Sequence, residues 1–173
     1  MQIRKAVPVE AGLVCAFYQA IIRKLHEKQY GLPWQFGVYP TSELLEAAIA
    51  AQTLYLCLNN WEIIGAAIMN RVQGEGYADA HWLCHPPASQ IGVIHLLCTD
   101  PDVHGQGIGM QLITALIAEA RIQNIKSLRL DVLNRNQPAI RLYEKAGFQQ
   151  TGIVQLDYPS TGLTTFRLYE YTL

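Results

Sequence analysis

With 173 residues and a net charge of −1, the chain is long enough to bury a real core and lacks the basic excess of a nucleic-acid binder. Half of the residues are hydrophobic and 16% are charged, which excludes a disordered chain. No apolar run reaches the roughly 20 residues of a membrane-spanning helix. One domain over residues 1–173 is the expectation. Met1-Gln2-Ile3-Arg4-Lys5 leads into a strand-like stretch and shows no signal-peptide core. Cys15, Cys57, Cys84 and Cys98 have no paired spacing, so a reducing, cytoplasmic setting is expected.

Ile3 to Val7 reads as a first strand, and Pro8 opens a helix. Leu13, Phe17, Ile21 and Leu25 recur at fourfold spacing along it to about Lys28. Tyr30 to Pro40 is an aromatic-rich loop. Thr41-Ser42-Glu43-Leu44 starts a second helix with a capping residue, ending near Ala51. Thr53 to Leu58 and Ile63 to Asn70 form a hairpin around Asn59-Asn60. Val72 to Gln90 is a long excursion, with a short strand expected near His81 to Leu83. Ile91 to Thr99 is a near-continuous apolar strand and so a central one.

Met110 to Ile122 is helical, with Leu112, Ile113, Leu116, Ile117 and Ala120 on its buried side. Ser127 to Leu133 alternates as a strand, and Asn136 to Lys145 is a short helix stopped by Gly147. Phe148 to Leu156 and Leu163 to Tyr171 make a last hairpin around Pro159-Ser160-Thr161-Gly162. The central strand–helix–strand unit demands a parallel pair with a right-handed crossover, whereas the flanks are hairpins. The sum is an α/β fold: a mixed sheet of about six or seven strands with some four helices on its faces.

The chemistry concentrates after the central strand, at Thr99-Asp100-Pro101-Asp102-Val103-His104-Gly105-Gln106-Gly107-Ile108-Gly109. Glycines at alternate positions lead into a helix. The first turn of a helix carries unpaired N–H groups and the positive end of its dipole. Without side-chain bulk those groups can touch a phosphate directly. A P-loop would need Gly-Lys-Ser/Thr, but Gly109 is followed by Met110-Gln111. A dinucleotide fingerprint, G-x-G-x-x-G, fails in both registers, ending on Met110 or Leu112.

The stretch His104-Gly105-Gln106-Gly107-Ile108-Gly109 resembles the acyl-CoA loop, Q/R-x-x-G-x-G/A, of the GNAT (Gcn5-related N-acetyltransferase) superfamily, with His104 in place of Gln or Arg. Downstream, Asn136-Gln137-Pro138-Ala139-Ile140-Arg141-Leu142-Tyr143-Glu144-Lys145-Ala146-Gly147-Phe148 resembles the family's N-x-x-A-x-x-L-Y-E-K-x-G-F segment at every named position. The element order also resembles the GNAT fold over essentially the whole chain.

The resemblance implies transfer of the acetyl group of acetyl-CoA to a primary amine by direct attack in a ternary complex, without a metal. It implies that Leu97, Cys98 and Thr99, on a strand splayed by a bulge, meet the pantetheine arm, and that His104, Gly105, Gln106, Gly107, Ile108 and Gly109 hold the diphosphate. It assigns Asn136 to the pantetheine arm, where capping its helix is an equally adequate role. It assigns Tyr143 as the general acid for the leaving thiolate. A lysine-like amine has a pKa of about 10.4, so roughly one in 10³ is neutral at pH 7 and a base helps. His95 lies on the strand leading into the loop, where another member of the family carries a base histidine. A packed strand histidine is the rival reading, and His81 and Asp79 are weaker base candidates.

Cys98 as a nucleophile is unneeded by this route, and His81, Cys84, His85, His95 and Cys98 match no standard zinc spacing. Tyr30, Trp34, Phe36, Tyr39, Tyr77 and Trp82 fall on segments that wall the acceptor in this family. Their faces suit a cationic or apolar amine, though each also suits pinning a loop to the core. The expected acceptor is a small molecule or peptide; no nucleic acid or membrane is expected, and a homodimer is compatible with the family. A non-catalytic acyl-CoA sensor is the alternative, motivated by His104.

Overall fold

The computed structural model describes residues 1–27, 34–74, 76–158 and 162–173. Tyr30 and the turn at 159–161 lie outside them. Among the described residues are seven strands in one mixed sheet, ordered β1-β2-β3-β4-β5-β7-β6, and four α-helices. None of these helices is long and apolar enough to cross a membrane. The chain divides into two compact units, 1–69 with 96–112, and 70–95 with 113–173.

In the first unit, β1 (Gln2–Lys5) pairs antiparallel with β2 (Leu54–Asn59), which pairs antiparallel with β3 (Glu62–Asn70). The β2–β3 turn sits one residue later than Asn59-Asn60: Asn60 and Trp61 take φ of 47° and 71°, a mirror-image turn that suits strand twist. Pro8–Glu10 forms a 3-10 turn, and helix α1 (Ala11–Glu27) follows. Glu10 closes that entry by accepting from Val7 N at 2.9 Å while pairing with Arg4 at 2.6 Å. The buried stripe of α1 is Val14, Phe17, Tyr18, Ile21, Ile22 and Leu25. Leu13 is instead 64% exposed. The fourfold count from Leu13 missed this because a helix face drifts, and Val14 and Tyr18 hold the face that Leu13 would need.

Helix α2 (Ser42–Ala50) is capped by Thr41, whose Oγ1 accepts from Leu44 N at 3.2 Å. Its Leu45, Ala48 and Ile49 meet the α1 stripe and Leu54, Leu56, Ala66 and Ile68 of the strands. Trp34, Phe36 and Tyr39 pack against that same core.

In the second unit, β5 (Ser127–Leu133) pairs antiparallel with β7 (Gly162–Thr172), and β7 with β6 (Gln149–Tyr158). Residues 91–93 of β4 (Ile91–Thr99) carry the parallel pairing with β5. The excursion contains no strand at His81–Leu83. It turns at Tyr77–Asp79 and Ala88–Gln90, and Tyr77 and Trp82 pack with Ile91, Val93 and Leu168. Trp82 Nε1 donates to Tyr77 O at 2.7 Å, and Leu83 N donates to the Glu170 carboxylate in place of a ladder partner.

Candidate active site

Ile94, Leu96 and Cys98 of β4 are buried, while His95, Leu97 and Thr99 are half-buried. The alternation holds although Leu96 takes a left-handed φ of 50°, rare for a branched residue. Within the first unit the strain is held by Tyr18, whose hydroxyl donates to Leu96 O at 2.9 Å. Among the described residues the parallel β4–β5 ladder covers only Ile91↔Ser127, Gly92↔Leu128 and Val93↔Arg129. β5 then continues to Leu133 against β7. The left-handed Leu96 and the end of the parallel pairing at Val93 both precede Leu97, Cys98 and Thr99.

Cys98 is buried among apolar side chains, and burial pushes its thiol far above the ordinary range. A thiol that cannot ionise is no nucleophile.

The corner after β4 is built from the same unit. Asp100 Oδ1 accepts from Asp102 N at 3.0 Å, and Lys24 of α1 bridges Asp100 at 2.8 Å and Asp102 at 2.6 Å. A 3-10 turn, Pro101–Val103, then delivers His104, Gly105, Gln106 and Gly107, all exposed. Gly105 and Gly107 have φ of 84° and 75°, which an L side chain resists. Helix α3 (Ile108–Ile122) starts immediately. Its first i→i−4 bond runs from Gln111 N to Gly107 O at 3.0 Å. Ile108 and Gly109 therefore head the helix with N–H groups that precede any intrahelical partner. Buried Ile108 anchors that head against Cys57 and Ile64. An exposed, left-handed loop leading into a helix start fits a diphosphate.

The second unit holds His95, Asn136 and Tyr143. Asn136 caps α4 (Gln137–Lys145) through Oδ1, which accepts from Ala139 N at 3.3 Å. The cap puts Tyr143 on the helix's buried side, with ring centroids 5.9 Å from Phe148 and 6.4 Å from Tyr169. Gly147, at φ 95°, ends the helix as its position predicts.

His95 Nε2 lies 3.1 Å from Asn70 Oδ1 and 3.0 Å from Val72 O. Burial holds its pKa below the usual 6.5, opposed by the charge of Asp131 and the Val72 carbonyl. The ring is therefore neutral at pH 7 and able to accept a proton. Asp131 of β5 is half-buried, and its desolvation raises its own pKa, opposed first by the Tyr77 hydroxyl. That hydroxyl donates to Asp131 Oδ1 at 2.8 Å. Asp131, Tyr77 and Asn70 were missed as companions of His95. A signal existed in β5, a parallel central strand and so covered on both faces, where Arg129 and Asp131 need partners.

Arg129 finds them beside Glu170, at 3.3 Å in the directly opposed β7 position. It also donates to Gln73 Oε1 at 2.7 Å and Cys84 O at 3.0 Å, with Trp82 stacked 4.1 Å from its guanidinium carbon. One buried cation thus ties both ends of the excursion, while Glu170 accepts from Leu83 N and Ser127 Oγ. His81 is exposed; the side chain of Asp79 is outside the description. Among the described residues no group of three or more His, Cys, Asp or Glu is placed to hold a metal ion.

A mixed sheet whose central strand runs into a glycine-rich helix start is the arrangement expected of the acyl-CoA acyltransferase class. The family model for the acetyltransferase (GNAT) family matches residues 20–148, and the chain belongs to that family. It is 38% identical over 65 residues to the [ribosomal protein bS18]-alanine N-acetyltransferase of Escherichia coli K12, a match covering 38% of this chain and 44% of that protein. The chain matches less than half the length of the curated relatives it resembles. In fold it is similar to the ribosomal-protein-alanine N-acetyltransferase of Brucella melitensis, with TM-score 0.75, 17% identity and all of both chains covered. It is also similar to the yncA protein of Salmonella typhimurium, solved with its cofactor acetyl-CoA, with TM-score 0.74, 18% identity and coverage of 100% and 94%.

Proposed function

We propose that this chain, as one GNAT domain over residues 1–173, transfers the acetyl group of acetyl-CoA to a primary amine of a peptide or small molecule. The observation that carries the reading is the exposed His104–Gly107 loop that leads into α3, in a chain of this family. Backbone N–H groups of Gly105, Gly107, Ile108 and Gly109 hold the diphosphate, and they need no side chain to do so. His104 in place of Gln or Arg removes one side-chain contact and leaves that cradle whole. The backbone of Leu97, Cys98 and Thr99, beyond the left-handed Leu96, pairs with the pantetheine arm and offers an N–H to the thioester oxygen.

Acetyl-CoA supplies an activated acyl carbon and a thiolate leaving group. His95, neutral at pH 7, takes the proton from the attacking amine, and the Tyr143 hydroxyl returns one to the thiolate. Asn136 caps α4, and its polar group also serves the pantetheine arm. The acceptor amine belongs to a peptide or a small molecule; one relative is named for a ribosomal-protein alanine. Four free cysteines support a reducing compartment such as the cytoplasm. The test is thiol release from acetyl-CoA with a panel of peptide and small-molecule amines. Release that depends on one amine class is expected. Tight acetyl-CoA binding without release for any amine would leave a sensor.

A further inference from the structure

We propose that Asn70 and the Val72 carbonyl are positioning groups that fix His95 in the Nε2–H tautomer, so that Nδ1 is the nitrogen that accepts the amine proton. The inference rests on His95 as the base. All the groups involved lie in one compact unit.

A carbonyl oxygen has no hydrogen to give, so contact between Val72 O and His95 Nε2 at 3.0 Å requires a proton on Nε2. The second neighbour of Nε2, Asn70 Oδ1 at 3.1 Å, could in principle be the amide nitrogen turned around. Its orientation is fixed independently. Val72 N, which can only donate, sits 2.8 Å from the same Asn70 atom, so that atom is the oxygen. The segment 70–72 therefore folds back on itself and presents two acceptor oxygens to one ring nitrogen. Removing the Nε2 proton would leave three lone-pair centres facing one another.

Proton uptake at Nδ1 disturbs none of this. The neutral ring and the imidazolium both donate from Nε2 to the same oxygens, so the ring gains and loses its proton without turning. In the reaction the lone pair of the neutral amine forms the bond to the thioester carbon, its N–H bond breaks as the Nδ1–H bond forms, and the C–S electrons leave on sulfur, which takes the Tyr143 proton. Asp131, from β5, is the charged group that faces His95, and Tyr77 holds Asp131 by its hydroxyl.

The tautomer is read directly from long-range proton–nitrogen NMR correlations on protein labelled with 15N-histidine. Above the titration of His95, a pyrrole-type Nε2 and a pyridine-type Nδ1 are expected. The reverse pattern, or an average of the two, overturns the proposal. The variant Asn70→Asp places a carboxylate against Nε2–H, and an opposite charge at this range raises a histidine pKa by about one unit or more. His95 is expected to titrate higher by that amount in the NMR signal. An unmoved titration in the folded variant sinks the positioning role. The acidic limb of kcat/KM should move upward with it. A moved NMR titration with an unmoved limb leaves the tautomer assignment standing and removes His95 as the base.

Discussion

Replacing Gly105 by alanine separates phosphate binding from folding. The glycine holds φ at 84°, and a Cβ added there would meet nothing within 4 Å. The cost is therefore torsional and not steric. An L-residue in the left-handed region is strained by about 1–2 kcal/mol. The loop is exposed from His104 to Gly107, so in the free protein it can relax to another backbone conformation. The strain returns only when the N–H groups must converge on the diphosphate. Binding of acetyl-CoA should then weaken, with Kd raised by roughly 5- to 30-fold, while unfolding free energy moves by less than about 0.5 kcal/mol. Isothermal titration calorimetry gives the first quantity and urea denaturation the second. Gly12→Ala is the control: its Cβ also meets nothing within 4 Å, but it lies inside helix α1. It should gain about 0.5–1 kcal/mol of stability and leave Kd alone. A Kd within twofold of the parent for Gly105→Ala would refute the reasoning.

Tyr143→Phe keeps the packing against Phe148 and Tyr169 and removes only the hydroxyl; steady-state kinetics should show kcat reduced by about 10²–10⁴-fold, with acetyl-CoA affinity by calorimetry unchanged. His95 is held below pH 6.5, so it must be unprotonated to act, and activity falls as pH drops through its folded pKa. In His95→Ala the pH profile of kcat/KM should lose that acidic limb; an intact limb returns the role to water or another residue. Arg129→Met leaves Glu170 buried without its cation, and urea denaturation should show a loss of about 3–5 kcal/mol. Adding Glu170→Leu should recover much of it, and a single variant as stable as the parent contradicts the pairing.

Much of this architecture could be read from local chemistry. Thr41 and Asn136 are short polar residues placed to accept from N–H groups three residues on, and both do so. Gly105 and Gly107 announced a loop without side-chain bulk before a helix, and the apolar run Ile91–Thr99 announced a central strand. What escaped was set by long-range geometry. The left-handed backbone at Leu96 has no sequence mark, because it is sustained by Tyr18, 78 residues away. Trp34, Phe36 and Tyr39 looked as suited to an acceptor as to a core, and they pack on the core. Tyr77 and Trp82 are buried too, with Trp82 under Arg129. The surroundings of His95 were hidden because Asn70, Val72, Tyr77 and Asp131 come from three separate segments.

The central claim is that amides of the 105–109 segment grip the diphosphate of coenzyme A. A 1H–15N titration of the labelled protein with coenzyme A reads those amides one by one. The account predicts large, saturable shifts at Gly105, Gly107, Ile108 and Gly109, following the same isotherm as binding. Binding that saturates while these four signals stay in place would contradict it.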